Sequence, residues 1–197
     1  MATITAETVK ALREQSGAGV MECKRALEET GGDLEKAAAI LKERGQAAAA
    51  KRSGREANEG QIGYYIHTGG KIGVLIEVNC ETDFVARTDE FQRLCRDLAM
   101  QVAGLRPLYP TVESIPAEDL AAKNLELLAS DTLASKPVGV REQIVEGQLK
   151  KWFSEVVLLE QPFRDQDRTV GQLVTESIAK TGENIKVRRF VRFELGE

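Results

Sequence analysis

The chain has few residues that could carry out covalent chemistry. Its single histidine, His67, ends one predicted strand beside a turn, and Cys80 lies at the far end of the next predicted strand. A strand advances about 3.3 Å per residue, so these two ends of a hairpin should lie well apart. A cysteine–histidine nucleophilic site is therefore not expected. We expect His67 to be a surface residue beside the turn.

Four acidic residues, Glu77, Glu81, Asp83 and Asp89, could be interpreted as a cluster for a hard cation such as Mg²⁺. Their spacing does not enforce such a site. The alternative, which we favour, is that Asp89 helps to start a helix and the others are solvated. A metal-assisted hydrolase using Glu77, Glu81 and Asp83 would lose its turnover to chelators. The chain also lacks the G-x-x-x-x-G-K-[ST] phosphate loop, so it is not evidently a GTPase. We expect no enzyme activity, no cofactor and no metal.

Residues 1–45 are predicted to form a domain of three short helices. Thr5 is a plausible N-cap for the first helix, which ends at Ser16-Gly17-Ala18-Gly19. A second helix begins near Val20, and Asp33 caps a third. Each helix is close to the length at which isolated helices are marginal, so their apolar faces should pack together. Residues 46–60, rich in alanine and then in basic residues, are expected to be a helical or flexible linker.

Residues 61–197 are predicted to form an antiparallel sheet packed with helices, which makes the chain an α+β protein. Strands Gln61–His67 and Lys71–Val78 flank a Thr-Gly-Gly turn. Thr88 can cap a long helix with a continuous apolar stripe that should pack on the sheet. The hairpin residues expected on its buried face are Ile62, Tyr64, Ile66, Ile72, Val74, Ile76 and Val78.

The C-terminal half is predicted to contain three helices and a final strand. Helices from about Ala117 to Leu133 and from about Val140 to Phe153 should pair as a hairpin, because Lys136-Pro137 separates them. An irregular segment, Glu155–Phe163, precedes a helix capped by Thr169 that ends at Gly182. The last strand, Ile185–Leu195, alternates. Its expected apolar face consists of Ile185, Val187, Val191, Phe193 and Leu195, and its mostly basic outer face of Lys186, Arg188, Arg192 and Glu194.

Composition favours a protein partner over nucleic acid or membrane. The 197 residues are 42% hydrophobic and 29% charged, as in ordinary globular proteins. The net charge of -4 would repel a polyphosphate backbone, and only Phe190 accompanies the basic face of the last strand as a stacking aromatic. Three scattered cysteines and the absence of an apolar signal core or a run of about 20 apolar residues predict a reduced, cytoplasmic chain that does not span a membrane.

The segment Asn79–Arg87, with the sequence NCETDFVAR, is the most informative stretch of the chain. It follows the apolar hairpin and places Phe84 at a junction, outside strand and helix. Because phenylalanine is usually buried, the residues alone favour a Phe84 that packs the hairpin against the next helix. A functional, exposed Phe84 is the other interpretation.

Together with Leu12–Leu27, which reads LREQSGAGVMECKRAL, this segment resembles the two signature segments of the elongation factor Ts family. The resemblance implies a guanine-nucleotide exchange factor for the GTPase elongation factor Tu. It also implies that Thr82, Asp83, Phe84 and Val85 insert into the nucleotide-binding domain of elongation factor Tu and dislodge its Mg²⁺. The resemblance thus favours the exposed Phe84.

The same resemblance extends to the N-terminal helices and to the assembly. It implies that Arg13, Val20 and Met21 contact the nucleotide-binding domain of elongation factor Tu, with Val20 at a position where members often have Met. The three helices resemble a ubiquitin-associated domain. Longer members have a duplicated core, whereas this chain has one and is similar to the short form that dimerises, so a homodimer is expected. The alternative is a stand-alone protein-binding module, in which a fragment of residues 1–50 would carry all partner binding.

Overall fold

The computed structural model describes residues 4–130, 137–164 and 167–196 and shows the predicted α+β fold. Two 3₁₀ turns, Val112–Ser114 and Leu158–Glu160, accompany the helices and strands. The order of the helices and strands is α1 Ala6–Ser16, α2 Val20–Glu29, α3 Leu34–Arg52, β1 Glu59–Ile66, β2 Ile72–Cys80, α4 Asp83–Ala86, α5 Asp89–Leu105, α6 Ala117–Leu128, α7 Val138–Val156, α8 Val170–Thr181 and β3 Lys186–Glu194.

The described residues fall into two compact units. The first unit takes its residues from Met1–Gln61, Val78–Leu94 and Gln172–Lys186. The second takes its residues from Ile62–Glu77, Cys95–Gly171 and Val187–Glu197. The N-terminal helices and the segment around Phe84 therefore belong to the same unit, and most of the sheet belongs to the other.

The three predicted N-terminal helices are confirmed. The Thr5 hydroxyl accepts a hydrogen bond from the Thr8 amide at 3.2 Å, and Asp33 caps α3 by accepting from the Lys36 amide at 3.1 Å. Helix α3 continues to Arg52, so the first part of the predicted linker is helical. The helices enclose a small core of Leu12, Cys23, Ala26, Leu27, Ala37 and Leu41.

The sheet has the order β1-β2-β3, and the amide of Leu195, just after β3, donates to the carbonyl of Lys71, just before β2, at 2.9 Å. The end of β3 thus lies beside the start of β2, which makes this pair antiparallel. The long helix predicted after Thr88 is confirmed as α5. All residues of its predicted apolar stripe are buried, namely Phe91, Leu94, Cys95, Leu98, Ala99 and Val102.

The predicted buried face of β1 is wrong. Ile62, Tyr64 and Ile66 are exposed, and the residue that faces α5 is Gly63. A Cβ on Gly63 would lie 2.9 Å from the Cβ of Cys95, so α5 approaches the strand too closely for a larger residue. This close approach explains the register, because a period of two sends the neighbours of Gly63 to the opposite face.

The predicted apolar face of β3 is wrong for its second half. Val191, Phe193 and Leu195 are exposed. Arg192 is the residue directed to α5, where its Nε donates to the carbonyl of Ala103 at 3.4 Å and its guanidinium pairs with Glu194. A guanidinium that is hydrogen-bonded in this way can occupy a half-buried position that the sequence pattern assigned to apolar side chains.

The helical hairpin is confirmed, since α6 packs against α7. Helix α6 ends at Leu128, and the predicted end at Leu133 lies outside the described residues. The predicted irregular segment contains the end of α7 and a 3₁₀ turn, followed by a bridge between Pro162 and Thr169. In the ranges that the structure describes, no helix has both the length and the apolarity needed to cross a membrane.

Candidate functional site

Phe84 lies in a one-turn helix, α4, that follows the end of β2, so the prediction that it lies outside strand and helix is wrong. Thr82 adopts an extended conformation, with φ -131° and ψ 154°, and its hydroxyl accepts from the Val85 amide at 3.4 Å. The Arg87 amide donates to the carbonyl of Asp83 at 3.2 Å and closes the turn. The segment is therefore an ordered, capped turn.

The Phe84 side chain is 79% exposed, the largest exposed fraction among the large hydrophobic residues of the described chain. Ala86, two residues later, is buried with 9% exposure and anchors the other side of the turn. The interpretation of Phe84 as a core residue is therefore wrong. An exposed aromatic ring on a capped turn is available for contact with another protein.

Contacts within the segment connect α4 to the start of α5. Asp83 pairs with Arg87 at 2.8 Å, and both side chains are substantially exposed. The Thr88 hydroxyl donates to the carbonyl of Val85 at 2.7 Å and accepts from the amide of Phe91 at 3.3 Å. The buried Phe91 thus holds one end of the turn, and the ring of Phe84 is left free of the core.

The candidate nucleophile is inert in this setting. Cys80 is fully buried, and its thiol donates to the carbonyl of Thr82 at 3.1 Å. Burial raises the pKa of the Cys80 thiol to about 11, and the negative charge of Glu183 adds to this effect. His67 is exposed as predicted, with its Nδ1 3.0 Å from the hydroxyl of Tyr65. A thiol that stays protonated near neutral pH is a poor nucleophile.

The acidic residues are engaged with basic groups and amides. Glu77 accepts from Arg189 at 2.7 Å and from Arg188 at 2.9 Å, and these bonds lower the pKa of Glu77 below its usual value. Glu81 accepts from the amide of Asn184 at 2.7 Å. Across the described ranges, with their gaps at 131–136 and 165–166, no group of three or more His, Cys, Asp or Glu residues could hold a metal ion.

The N-terminal candidates lie on the outer surface of the three-helix cluster. Arg13 is exposed in the last turn of α1. Val20 and Met21, in the first turn of α2, are 51% and 63% exposed. The buried positions of these turns are Leu12 and Cys23, so the three candidates are left to face solvent.

Lys180 of α8 links the N-terminal helices to α5 inside the first unit. Its Nζ lies 3.1 Å from a carboxylate oxygen of Glu90. Its aliphatic stem lies against Gly17, which has φ +67° and where an added Cβ would be 2.1 Å from the Lys180 Cε. Gly17 thus suits a left-handed conformation that other residues rarely adopt, and a larger residue there would displace the Lys180 side chain.

Sequence reasoning assigned no role to Glu183. Its carboxylate accepts a hydrogen bond from the Thr82 hydroxyl at 2.7 Å. The two residues are 101 positions apart, so no local spacing could have connected them.

Comparisons with known proteins give one family. Residues 2–197 match the family model described as Elongation factor TS. The chain is 57% identical to Elongation factor Ts of Heliobacterium modesticaldum over 98% of the chain and 91% of that relative. It is 58% identical to Elongation factor Ts of Carboxydothermus hydrogenoformans over 98% of the chain and 90% of the relative. Identity to Elongation factor Ts of Rubrobacter xylanophilus is 54%, over 96% of the chain and 97% of the relative.

Proposed function

Because the chain belongs to the elongation factor Ts family, it is a guanine-nucleotide exchange factor for elongation factor Tu in translation elongation, and we propose that Thr82–Val85 promotes GDP release by dislodging Mg²⁺. The observation that supports this role most directly is the 79% exposure of Phe84 on an ordered turn. An apolar ring held outside its own core is available for insertion into another protein.

The physical basis is the electrostatics of a bound nucleotide. A GTPase holds its nucleotide through backbone amides, a lysine and a Mg²⁺ ion that neutralises phosphate charge. Displacing the ion removes one of the largest local attractions, so GDP leaves faster. Burying one Phe ring supplies about 1.5 to 3 kcal/mol, and each tenfold change in rate needs about 1.4 kcal/mol.

Phe84 is the apolar wedge in this proposal, and Asp83 accepts hydrogen bonds from displaced backbone of elongation factor Tu. Because binding couplings are reciprocal, the factor weakens nucleotide binding as much as nucleotide weakens binding of the factor. Incoming GTP with its Mg²⁺ therefore releases the factor again. The cycle needs no covalent step, so we infer that the chain is not an enzyme in the usual sense.

We infer that Arg13, Val20 and Met21 form a second contact with the nucleotide-binding domain of elongation factor Tu. Their exposure supports this inference, as does their place in the same compact unit as Phe84. We propose that residues 1–45 are a partner-binding domain of the ubiquitin-associated type, followed by a linker at 46–60 and a core and dimerisation domain at 61–197. Family membership does not favour the stand-alone binding module.

We also infer that the chain forms a homodimer through the outer face of its sheet. Leu75, between the buried residues Val74 and Ile76, is 47% exposed, and the exposed apolar residues of β1 and β3 lie on the neighbouring strands. Monomers rarely expose a contiguous apolar face of this kind. The outer-face residues are Ile62, Tyr64, Ile66, Leu75, Val191 and Phe193.

Sedimentation of Phe193→Glu checks the dimer, with Leu108→Glu as the control because Leu108 is also exposed, at 65%. Phe193→Glu should sediment as a monomer and Leu108→Glu as a dimer. A wild-type chain that is monomeric at micromolar concentration would contradict the dimer.

For the remaining partners and the location, we infer no direct nucleic-acid or membrane binding and a cytoplasmic site of action.

The exchange activity is tested by loading elongation factor Tu with a fluorescent GDP analogue and following its release. Adding this protein should accelerate release in proportion to its concentration until the rate saturates. Raising Mg²⁺ should oppose the effect, because the ion and the factor compete. A release rate that is the same with and without the protein would refute the proposal.

A further inference from the structure

The backbone that carries Phe84 is fastened by a carboxylate from the far end of the chain. Glu183, two residues after α8, accepts through Oε2 from the amides of Glu81 at 3.1 Å and Thr82 at 3.0 Å. Its Oε1 accepts from the Thr82 hydroxyl at 2.7 Å. One side chain thus satisfies three donors at the point where β2 gives way to α4.

The hydrogen bonds between these two stretches of the chain run in both directions. Glu81 Oε1 accepts from the amide of Asn184 at 2.7 Å and from Arg55 at 3.4 Å. Asn184 is buried, and its side-chain amide donates to the carbonyls of Ser53 at 3.3 Å and Arg55 at 2.8 Å. Three separate stretches of the first unit are joined by these bonds, which we call the Glu183 clasp. All of its members belong to the first unit.

The clasp fixes the backbone next to Phe84, a residue whose own side chain has little packing to fix it. The ring is 79% exposed, so its own packing contributes little to its position. That position is set by the backbone of Thr82, the N-cap of α4, two residues earlier. Hydrogen bonds to a carboxylate are shorter and stronger than those between neutral groups, so Glu183 is well suited to fix this backbone.

We infer that Glu183 is a positioning residue for nucleotide exchange, which keeps α4 in the arrangement that presents Phe84 to elongation factor Tu. This inference rests on the proposed function of Thr82–Val85. If loss of the clasp leaves the presenting arrangement one-tenth populated, the apparent affinity of the factor for elongation factor Tu falls about tenfold.

The experiment measures GDP release from elongation factor Tu against the concentration of the full-length factor. Glu183→Ala should raise the concentration for half-maximal rate about tenfold and keep most of the maximal rate. Glu183→Gln should lie between wild type and Glu183→Ala, because its oxygen can still accept from the two amides. Glu160→Gln, a change at an exposed carboxylate in the second unit, is the matched control and should match wild type.

A double-mutant cycle separates positioning from a merely structural role. In a Phe84→Ala background, Glu183→Ala should have no further effect on exchange, because the group that it positions is gone. Effects that multiply would show that Glu183 acts without Phe84 and would overturn the inference. If Phe84→Ala alone leaves exchange unchanged, the proposed function of the segment fails instead.

Amide hydrogen exchange over residues 79–88 gives the second readout. Glu183→Ala should speed exchange at Glu81 and Thr82 at least about tenfold, whereas Glu160→Gln should not. If Glu183→Ala fails to fold, Glu183→Gln carries the test, because it replaces the charged acceptor of the Glu81 and Thr82 amides by a neutral one. A folded Glu183→Gln chain that exchanges nucleotide with the wild-type concentration dependence would overturn the inference.

Discussion

Replacing Phe84 by alanine should separate exchange from folding. The ring is 79% exposed, so about four-fifths of its surface is still available for burial in elongation factor Tu. Full burial of a Phe side chain is worth about 1.5 to 3 kcal/mol, and this share corresponds to about 1.2 to 2.4 kcal/mol. At about 1.4 kcal/mol per factor of ten, exchange efficiency should fall roughly 7- to 50-fold.

The assay is stopped-flow release of a fluorescent GDP analogue from elongation factor Tu, with thermal unfolding measured on the same preparations. Phe84→Ala should change the free energy of unfolding by less than about 0.5 kcal/mol, as for other surface substitutions. Phe91 is the fully buried counterpart in the next helix, and Phe91→Ala should lower the free energy of unfolding by about 3 to 5 kcal/mol. Leu108→Ala removes a comparably exposed apolar side chain and should alter neither property.

Two results would refute this reasoning. A folded Phe84→Ala chain with wild-type exchange would show that the ring is not the wedge. A Phe84→Ala chain destabilised as much as Phe91→Ala would show that the ring packs in the core of the chain in solution.

Three further predictions concern the fold. Gly63→Ala should lower the free energy of unfolding, measured in urea, by about 1 to 3 kcal/mol, because the new Cβ would lie 2.9 Å from the Cβ of Cys95. Gly104→Ala is the control and should not lower it, because an added Cβ at Gly104 has open space around it. Bonds from Arg189 lower the pKa of Glu77, so their contribution to stability is present above the ordinary pKa of 4.5 and is lost as pH falls through the lower folded value. Stability of Glu77→Gln should therefore fall less on acidification than that of wild type, and an equal fall would contradict this. With a thiol pKa of about 11 and full burial, Cys80 should react with a thiol reagent at about pH 8 only after unfolding.

Local signals were sufficient to predict the longer helices, whereas the one-turn helix α4 was not predicted. Thr5 and Asp33 cap helices where the sequence suggests, and the stripe along α5 is buried throughout. These features depend on contacts three or four residues apart along the chain, which a sequence displays directly. The strands of the sheet were predicted from their alternation, which has a period of two residues.

The orientation of the strands could not be predicted in the same way. Apolar alternation in β1 was taken to mark the core, yet Ile62 and Tyr64 face outward because Gly63 is the residue that admits α5. In β3, hydrogen bonding lets Arg192 take the half-buried position and leaves Phe193 exposed. An alternating pattern shows that two faces differ, and only the packing partner decides which face is covered.

The motif was sufficient to predict the part of the site around Phe84, but the remaining part could be found only in the folded structure. Phe84 was found because its neighbours match a signature, whereas composition alone favoured burial. Glu183 is brought to Thr82 across 101 residues by the tertiary structure, and no periodic pattern encodes such a contact. Long-range hydrogen bonds of this kind are therefore the part of a site that sequence reasoning misses first.

The order of the Phe84 segment is a requirement of its proposed role. Fixing the backbone of one residue costs about 1 to 2 kcal/mol, so ordering the four residues of α4 during association would cost about 4 to 8 kcal/mol. Burial of the ring supplies only about 1.2 to 2.4 kcal/mol. A disordered segment would therefore consume more free energy than its wedge provides, and nothing would remain to weaken nucleotide binding. The cap at Thr82, the Glu183 clasp and the Thr88 bonds meet this cost when the chain folds, so the burial of Phe84 can act against the bound Mg²⁺.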